Sequence, residues 1–156
     1  MQKEFILKTD QDTKKLGQKI GELIDSSFCI FLNGDLGSGK TTFTQGLAIG
    51  LDIPKEYYIT SPTYSIINEY PGKLNLYHID LYRIEDALEL DSIGIDEIMY
   101  RDDAVIAVEW PGILDKNYAY PHDLKIEFSL THGNTRKISI FSSGRKGTNL
   151  LEKLLL

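Results

Sequence analysis

The sequence predicts a single α/β domain over residues 1–156, with a mostly parallel central sheet and antiparallel strands at its edge. Two continuous apolar runs, FCIFLN at residues 28–33 and AVIAV at residues 104–108, are typical of strands buried on both faces. Segments with helical spacing of apolar residues alternate with the strand-like segments, which favours helices packed on a sheet. Near the C-terminal end, LKIEFSLT and RKISIFS alternate with period two around HGN, which predicts an antiparallel hairpin at the sheet edge.

The first half of the chain supplies two strands and two helices. KEFILK at residues 3–8 alternates and predicts a short first strand. Thr9 and Asp12 have the spacing of a capping box at the start of a helix, with Asp in place of the usual Glu or Gln. FCIFLN then predicts the second strand, and KTTFTQGLAIGL predicts a second helix that Gly50 brings to an end. The first helix carries its apolar stripe at Leu16, Ile20, Leu23 and Ile24.

The second half is richer in strand signals. β-Branched and aromatic residues, which favour strands, are concentrated in YYIT, TYSIINEY and LNLYHIDLY. Pro62 and the PGK at residues 71–73 separate these segments. EDALELDSIGIDEIMYR predicts a helical stretch that is broken at Gly94, and DDAVIAVEW predicts a second buried strand that ends in the acid Glu109.

Composition and charge exclude several classes of protein. The 156 residues are 42% hydrophobic and 26% charged, as in an ordinary globular domain. No segment approaches the roughly 20 apolar residues of a membrane span, and the N-terminal residues lack the apolar core of a secretory signal. The single cysteine, Cys29, lies in an apolar run and predicts a small buried side chain, with neither an internal disulfide nor a multi-cysteine metal site. We therefore expect a cytoplasmic protein without a membrane partner.

The balance of charge bears on nucleic-acid binding. The net charge of −6 disfavours tight binding of nucleic acid by this chain alone, because such proteins usually carry a basic surface. Basic residues do gather late in the chain, in NTRKISIFSSGRKG. We interpret this segment as a solvated hairpin and tail.

The most informative motif is GDLGSGKT at residues 34–41, which fits G-x-x-x-x-G-K-[ST]. The glycines Gly34, Gly37 and Gly39 allow the backbone to curl so that consecutive N–H groups face one anion. The helix that follows adds its free N–H groups and the positive end of its dipole. Lys40 would contact the β- and γ-phosphates and the Thr41 hydroxyl would bind Mg²⁺. The motif lies between a buried strand and a helix, and it predicts a nucleoside triphosphate site in a P-loop NTPase-like three-layer sandwich.

Such a site needs an acid at the end of a neighbouring strand, to hold Mg²⁺ or its water. Glu109 follows the AVIAV strand directly, and Asp80 in LYHIDLYR offers a second acid. The SPT at residues 61–63 places a hydroxyl on a proline-stiffened turn that could touch the γ-phosphate. A strand-end acid and a turn cap remain the alternative interpretations of Asp80 and Thr63.

Four motifs together resemble one family. GDLGSGKTTFTQGL, TSPTYSIINEY, YHIDLYRI and VEWP stand in the order and spacing of TsaE, also called YjeE, and the resemblance covers roughly residues 9–111. It implies a small bacterial ATPase needed to form N6-threonylcarbamoyladenosine at position 37 of tRNA. It also implies ATP or ADP and Mg²⁺ as ligands, and the TsaB and TsaD proteins as partners. The tRNA would be contacted only indirectly, through that complex.

The resemblance also implies roles for particular residues. Glu109 would be the Walker-B-like acid that holds Mg²⁺ and orients water, with Asp80 as a second candidate for either role. Trp110 would lie beside the nucleotide, although a core position is an equally good interpretation of this ring. Residues 10–13 would contact the adenine. The complete set of predicted nucleotide contacts is Asp10, Thr13, Gly34, Asp35, Leu36, Gly37, Ser38, Gly39, Lys40, Thr41, Thr42, Thr63 and Trp110.

Three functions stay open at this point. The first is an ATPase that drives one step of a tRNA-modifying assembly, and the second is a nucleotide-dependent assembly switch whose hydrolysis is incidental. The third is a small-molecule kinase, which the scarcity of arginines between the two acids disfavours, since only Arg83 and Arg101 lie there. Arg83 is also the one further cation that the site motifs offer beside Lys40. We therefore expect slow hydrolysis by the chain alone.

Overall fold

A computed structural model describes residues 1–62 and 64–155, and within these residues it contains seven strands and six helices. The strands are β1 (Gln2–Leu7), β2 (Phe28–Gly34), β3 (Ile67–Tyr70), β4 (Asn75–Asp80), β5 (Ala104–Glu109), β6 (Leu124–Leu130) and β7 (Arg136–Ser142). The helices are α1 (Asp10–Leu23), α2 (Lys40–Gly50), α3 (Ala87–Ser92), α4 (Ile95–Met99), α5 (Gly112–Asn117) and α6 (Gly144–Lys153). None of the helices described here is long and apolar enough to cross a membrane.

All seven strands form one sheet in the order β1-β7-β6-β2-β5-β4-β3. β6, β2, β5 and β4 are joined by parallel pairing, and β7 and β3 run in the opposite direction to them. The predicted α/β fold with a mostly parallel sheet is therefore confirmed. The predicted antiparallel hairpin is also confirmed, as β6 and β7, but it is not at the edge of the sheet: β6 pairs with the central strand β2, and β1 covers β7 and forms the edge. The exposed residues that alternate along β1 suit an edge strand, whereas β6 and β7 bury more of theirs.

Helices cover both faces of the sheet and give the three predicted layers. On one face, a core that includes Leu16, Phe43 and Leu151 joins α1, α2 and α6 to the strands. On the other face, a second core includes Leu90 and Ile95 from α3 and α4, together with Leu114 from α5. The sheet thus separates two apolar cores.

The capping box at the start of α1 is confirmed. The backbone N–H of Asp12 donates to Thr9 Oγ1 at 3.1 Å, and the Asp12 carboxylate accepts from the Thr9 N–H at 3.1 Å. α1 and α2 then approach until their backbones touch: a Cβ added at Gly46 would lie 1.9 Å from the carbonyl oxygen of Lys14. This close contact fixes α2, and with it the glycine-rich loop that precedes it.

One predicted strand is absent from the structure. YYIT is not a strand but part of the irregular segment between α2 and β3, where Tyr58 is 81% exposed. Aromatic residues raised the strand signal there, but the segment has no neighbouring strand with which to pair among the described residues. Gly94 does break the helical stretch, as predicted, and it has a left-handed φ of 72° at the start of α4.

Two helices were not predicted from the sequence. α5 follows β5 directly, and α6 occupies part of the basic segment that we interpreted as a solvated tail. α6 buries Leu150 and Leu151 against the first core, so its basic residues form only its outer face.

Candidate functional site

The glycine-rich loop connects the end of β2 to the start of α2, as the motif predicts. Gly37 and Gly39 have φ values of 75° and 110°, in the left-handed region that glycine adopts without strain. A side chain at residue 37 would meet nothing within 4 Å, so the backbone conformation alone calls for glycine there. Gly39 caps α2 without a side-chain hydrogen bond, which leaves the first N–H groups of the helix available to an anion.

A cavity of about 280 Å³ lies over this loop. It collects residues from the loop, from the ends of β4 and β5, and from the start of β7. Its lining comprises Leu36, Gly37, Ser38, Gly39, Lys40, Thr41, Thr42, Ser61, Asp80, Glu109, Trp110 and Arg136. The structure thus brings most of the predicted nucleotide contacts and both predicted acids to one place.

The Lys40 ammonium is held by the loop itself. Its Nζ donates to the carbonyl oxygens of Gly34 at 2.5 Å and Asp35 at 3.0 Å, which is how these two predicted residues contribute to the site. The same Nζ lies 4.5 Å from the ring centroid of Trp110. Burial lowers the pKa of Lys40, and the nearby carboxylates of Glu109 and Asp80 oppose that shift.

Glu109 and Asp80 end neighbouring parallel strands and face each other in register, which brings both carboxylates to the same edge of the sheet. The Thr41 hydroxyl donates to Glu109 Oε1 at 3.2 Å. The Ser61 hydroxyl lies between the two acids, 2.8 Å from Asp80 Oδ2 and 3.3 Å from Glu109 Oε2. Side chains from α2, β4, β5 and the loop before β3 therefore meet at one pair of carboxylates.

A buried histidine, which the sequence analysis did not select, lies behind Glu109. His78 is fully buried on β4, and its Nε2 lies 3.6 Å from Glu109 Oε1. Burial opposes ionisation of Glu109, but the contacts with His78, Lys40 and Thr41 outweigh it and hold the pKa of Glu109 below its ordinary value. The carboxylate is therefore charged at neutral pH.

Trp110 lies beside the cavity in an unusual backbone conformation. Its φ is 57°, which costs a non-glycine residue on the order of 1–3 kcal/mol. The backbone N–H of Trp110 donates to the carbonyl of Leu32 at 3.2 Å, and the indole lies 4.9 Å from the ring of Tyr82. These contacts aim the indole over the Lys40 ammonium.

Arg136 is a site residue that sequence reasoning missed. It begins β7, is only 8% exposed and lines the cavity, and its Nε would lie 3.0 Å from a Cβ added at Gly39. Its Nη1 is 2.5 Å from Asp10 Oδ1, at ion-pair distance but without the alignment of a hydrogen bond. The expectation that Arg83 is the one further cation beside Lys40 was therefore wrong. Arg83 lies 5.2 Å from the ring of Tyr64 instead.

The remaining predicted contacts are less direct. Asp10 is exposed and reaches the cavity only through its ion pair with Arg136. Thr13 is fully buried, and its hydroxyl donates to the Thr9 carbonyl at 3.5 Å. Thr63 lies outside the described residues. The predicted adenine contact of residues 10–13 stays a prediction.

The donor set suits one particular kind of metal ion. Hydroxyl and carboxylate oxygens from Thr41, Asp80 and Glu109 are the ligands that Mg²⁺ prefers. Within the described part of the chain, no group of three or more His, Cys, Asp or Glu side chains could hold a metal by itself. Proteins commonly bind Mg²⁺ through one or two carboxylates together with phosphate oxygens of a substrate.

Comparison with known proteins agrees with the fold and with the motifs. A sequence model of the family described as threonylcarbamoyl adenosine biosynthesis protein TsaE matches residues 7–138. The tRNA threonylcarbamoyladenosine biosynthesis protein TsaE of Aquifex aeolicus is 39% identical over 140 residues, covering 89% of this chain and 96% of its own. The protein of the same name from Bacillus subtilis is 35% identical over 145 residues, covering 92% of this chain and 88% of its own.

A solved structure extends the likeness to three dimensions. The crystal structure of YdiB from Bacillus subtilis superimposes with a TM-score of 0.78 and 30% identity, over 98% of this chain and 93% of that one. The P-loop arrangement of strand, glycine-rich loop and helix therefore stands in a fold shared over nearly the whole chain. The chain belongs to the TsaE family, which takes part in the biosynthesis of threonylcarbamoyladenosine in tRNA.

Proposed function

We propose that the chain binds ATP with Mg²⁺ over its glycine-rich loop and hydrolyses it slowly, as one component of the machinery that forms threonylcarbamoyladenosine in tRNA. The observation that carries this proposal is the convergence of Lys40, Thr41 and Glu109 on one cavity above the phosphate loop. A cation, a hydroxyl and a carboxylate in that arrangement match the needs of a triphosphate and its metal ion.

Phosphate binding would rest on the backbone and on Lys40. The left-handed glycines at 37 and 39 and the free start of α2 support a cradle of N–H donors for the β- and γ-phosphates. The Lys40 ammonium is already held at the loop by two carbonyl oxygens, so little conformational freedom would be lost when it meets a phosphate.

Thr41 and Glu109 would hold the Mg²⁺, with Asp80 close by. When bound, the ion neutralises charge that develops on the phosphate oxygens. The charged Glu109, or Asp80 beside it, would accept a hydrogen bond from the attacking water and orient it towards the γ-phosphate. Their separation by a single Ser61 hydroxyl supports a shared role of the two carboxylates in orienting this water.

Partner proteins are part of the proposal. The net charge of −6 disfavours a direct grip on tRNA, so contact with tRNA would pass through the TsaB and TsaD proteins in the cytoplasm. Tyr82, which packs against the cavity residue Trp110, is 52% exposed, and Tyr64, which lies under the guanidinium of Arg83, is 88% exposed. Aromatic side chains of this kind are enriched at protein interfaces, which supports a partner that docks beside the nucleotide.

Steady-state ATP turnover tests the proposal in three mixtures: the chain alone, the chain with TsaB and TsaD, and the chain with tRNA only. We expect slow turnover alone, a clear increase with the protein pair, and no increase with tRNA only. Turnover alone near the enzyme median of about 10 s⁻¹, unaffected by the pair, would contradict the partner-dependent mechanism. Transfer of phosphate to a small molecule in place of water would identify a kinase, and tight nucleotide binding with no turnover in any mixture would favour an assembly switch.

A further inference from the structure

We propose that His78 is a positioning residue for Glu109: its Nε2–H donates to Glu109 Oε1 from behind and fixes the carboxylate that faces the cavity. This inference rests on the proposed function, because the orientation of Glu109 matters most if the carboxylate meets Mg²⁺ or the attacking water. His78 does not line the cavity, so the ring would act only through Glu109.

Sheet register places the two residues together. His78 lies opposite Ala107 in the parallel pairing of β4 with β5, two residues before the pair formed by Asp80 and Glu109. Since side chains alternate along a strand, His78 points to the same face of the sheet as Asp80, and Glu109 to the same face as Ala107. The side chain of Ala107 is a single methyl group, which leaves room for the imidazole beside the Glu109 carboxylate.

The ring is costly to bury unless it makes a polar contact. His78 is fully buried, and neither ring nitrogen has a hydrogen-bond partner among the described residues. A buried donor left unsatisfied destabilises the folded state. The nearest carboxylate oxygen, Glu109 Oε1, is 3.6 Å from Nε2, so a shift of a few tenths of an ångström completes the bond.

The other donors to Glu109 are poorly suited to hold it during binding. Thr41 at 3.2 Å and Ser61 at 3.3 Å both line the cavity, so both hydroxyls lie where a ligand would compete for them. His78 lies on β4 and does not line the cavity, so a ligand in the cavity would not compete for its Nε2. Mutation of residues that orient a metal ligand in this way typically lowers metal affinity or activity by roughly 10- to 100-fold.

A packing role is the competing explanation, and the neighbouring residues argue against it. Leu76 occupies the equivalent position two residues earlier on the same face of β4 and is fully buried in the apolar core. An apolar side chain would therefore satisfy packing on this strand without the penalty of a buried imidazole.

Three variants separate the two roles. His78→Leu removes the donor and keeps a buried side chain, and His78→Asn keeps an amide that is too short to reach Glu109. His78→Gln is the matched control, because its amide nitrogen can occupy the place of Nε2. Calorimetry would measure ADP affinity in EDTA and in saturating Mg²⁺, and the ratio of the two affinities reports how well the metal is held.

We expect His78→Leu and His78→Asn to reduce that ratio by about three- to tenfold and by no more than Glu109→Gln does, His78→Gln to stay within about twofold of the parent, and affinity in EDTA to change little in all three. Equal ratios in all folded variants, or an equal loss in His78→Gln and His78→Asn, would overturn the proposal. If His78→Leu fails to fold, the two amide variants alone decide, because they differ in reach and not in polarity.

A measurement without nucleotide separates this proposal from the proposed function. Nitrogen-15 NMR of the imidazole rings, of which the chain has three, reports which nitrogen of His78 carries the proton. We expect the proton of His78 to be on Nε2, and the Nε2 resonance to change in Glu109→Gln. A ring that carries its proton on Nδ1 alone could not donate to Glu109, and this result would refute the contact. Failure of the parent chain to bind any nucleotide would refute the proposed function and leave this NMR result to judge the contact.

Discussion

Replacing Lys40 by alanine tests the proposed phosphate site most directly. The Lys40 side chain is 6% exposed and faces the cavity, and its ammonium lies 2.5 Å from the Gly34 oxygen and 3.0 Å from the Asp35 oxygen. Burial already lowers its pKa, so the fold tolerates a cation there against a desolvation penalty. A bond to phosphate, formed when nucleotide binds, would explain why a cation occupies this position.

The size of the effect follows from the type of bond. A hydrogen bond to a charged group contributes about 1.5–3 kcal/mol, which corresponds to roughly a 10- to 150-fold change in Kd. Lys40→Met keeps the aliphatic stem beside Trp110 and loses only the ammonium, so it should lose nearly as much affinity as Lys40→Ala. A much smaller loss in the methionine variant would assign the effect to packing and not to charge.

Calorimetric titration with Mg²⁺ and a non-hydrolysable ATP analogue measures these affinities. Lys55→Ala is the matched control, because Lys55 is exposed and lies outside the cavity over the loop, and we expect no loss of affinity in it. Circular-dichroism melts establish that each variant is folded. A Kd for folded Lys40→Ala that equals the parent value would refute the assignment of residues 34–41 as a phosphate site.

Other substitutions and probes test separate parts of the structure. Glu109→Gln should keep nucleotide affinity within about tenfold while turnover falls further, since the amide keeps the shape but loses the charge that would hold Mg²⁺. Equal small effects on affinity and turnover would assign the role of holding Mg²⁺ to another residue. The emission of Trp110, the single tryptophan, should change on addition of Mg²⁺ and ATP, and a flat titration with binding confirmed by calorimetry would contradict its place at the site. Gly46→Ala should lower the free energy of unfolding in urea by about 1–3 kcal/mol or more, because its Cβ would meet a backbone oxygen of α1 at 1.9 Å. Gly112→Ala, with open space around it, should leave the free energy of unfolding nearly unchanged. Similar free energies of unfolding for the two variants would mean that α1 and α2 are not in backbone contact. Burial raises the pKa of the Cys29 thiol, so iodoacetamide should alkylate the native chain far more slowly than the urea-unfolded one, and equal rates would contradict a buried thiol.

Features that depend on short stretches of chain could be predicted from the sequence. The capping box of Thr9 and Asp12, the helix break at Gly94 and the left-handed glycines of the phosphate loop each depend on residues only a few positions apart. The buried strands β2 and β5 were indicated by unbroken apolar runs, which are typical of a strand covered on both faces. Local chemistry decided all of these features.

Features that depend on which strands become neighbours could not be predicted in the same way. The alternation of β6 and β7 predicted a hairpin but did not indicate that β6 pairs with β2, which carries β7 and Arg136 to the cavity. For the same reason the basic segment around Arg136 was interpreted as solvated. In the sequence, His78 looks like an ordinary strand residue, and only the pairing of β4 with β5 in the structure brings Glu109 beside it. The partners of these side chains are distant in sequence, and no local pattern encodes them.

The distribution of positive charge bears on the proposal that rapid hydrolysis requires a partner. Fast P-loop hydrolysis uses a cation near the transferred phosphate that is worth about 10³–10⁵ in rate. Arg136 approaches the loop from β7, whereas the acids Glu109 and Asp80 end β5 and β4 on the other side of β2. The charge of Arg136 is also partly engaged by the exposed Asp10. Arg83 is closer to the acids in sequence but lies over a tyrosine ring. Since Asp10 engages Arg136 and the Tyr64 ring engages Arg83, we expect a partner to supply the cation that the transferred phosphate needs, and the partner should therefore raise kcat more than it lowers KM.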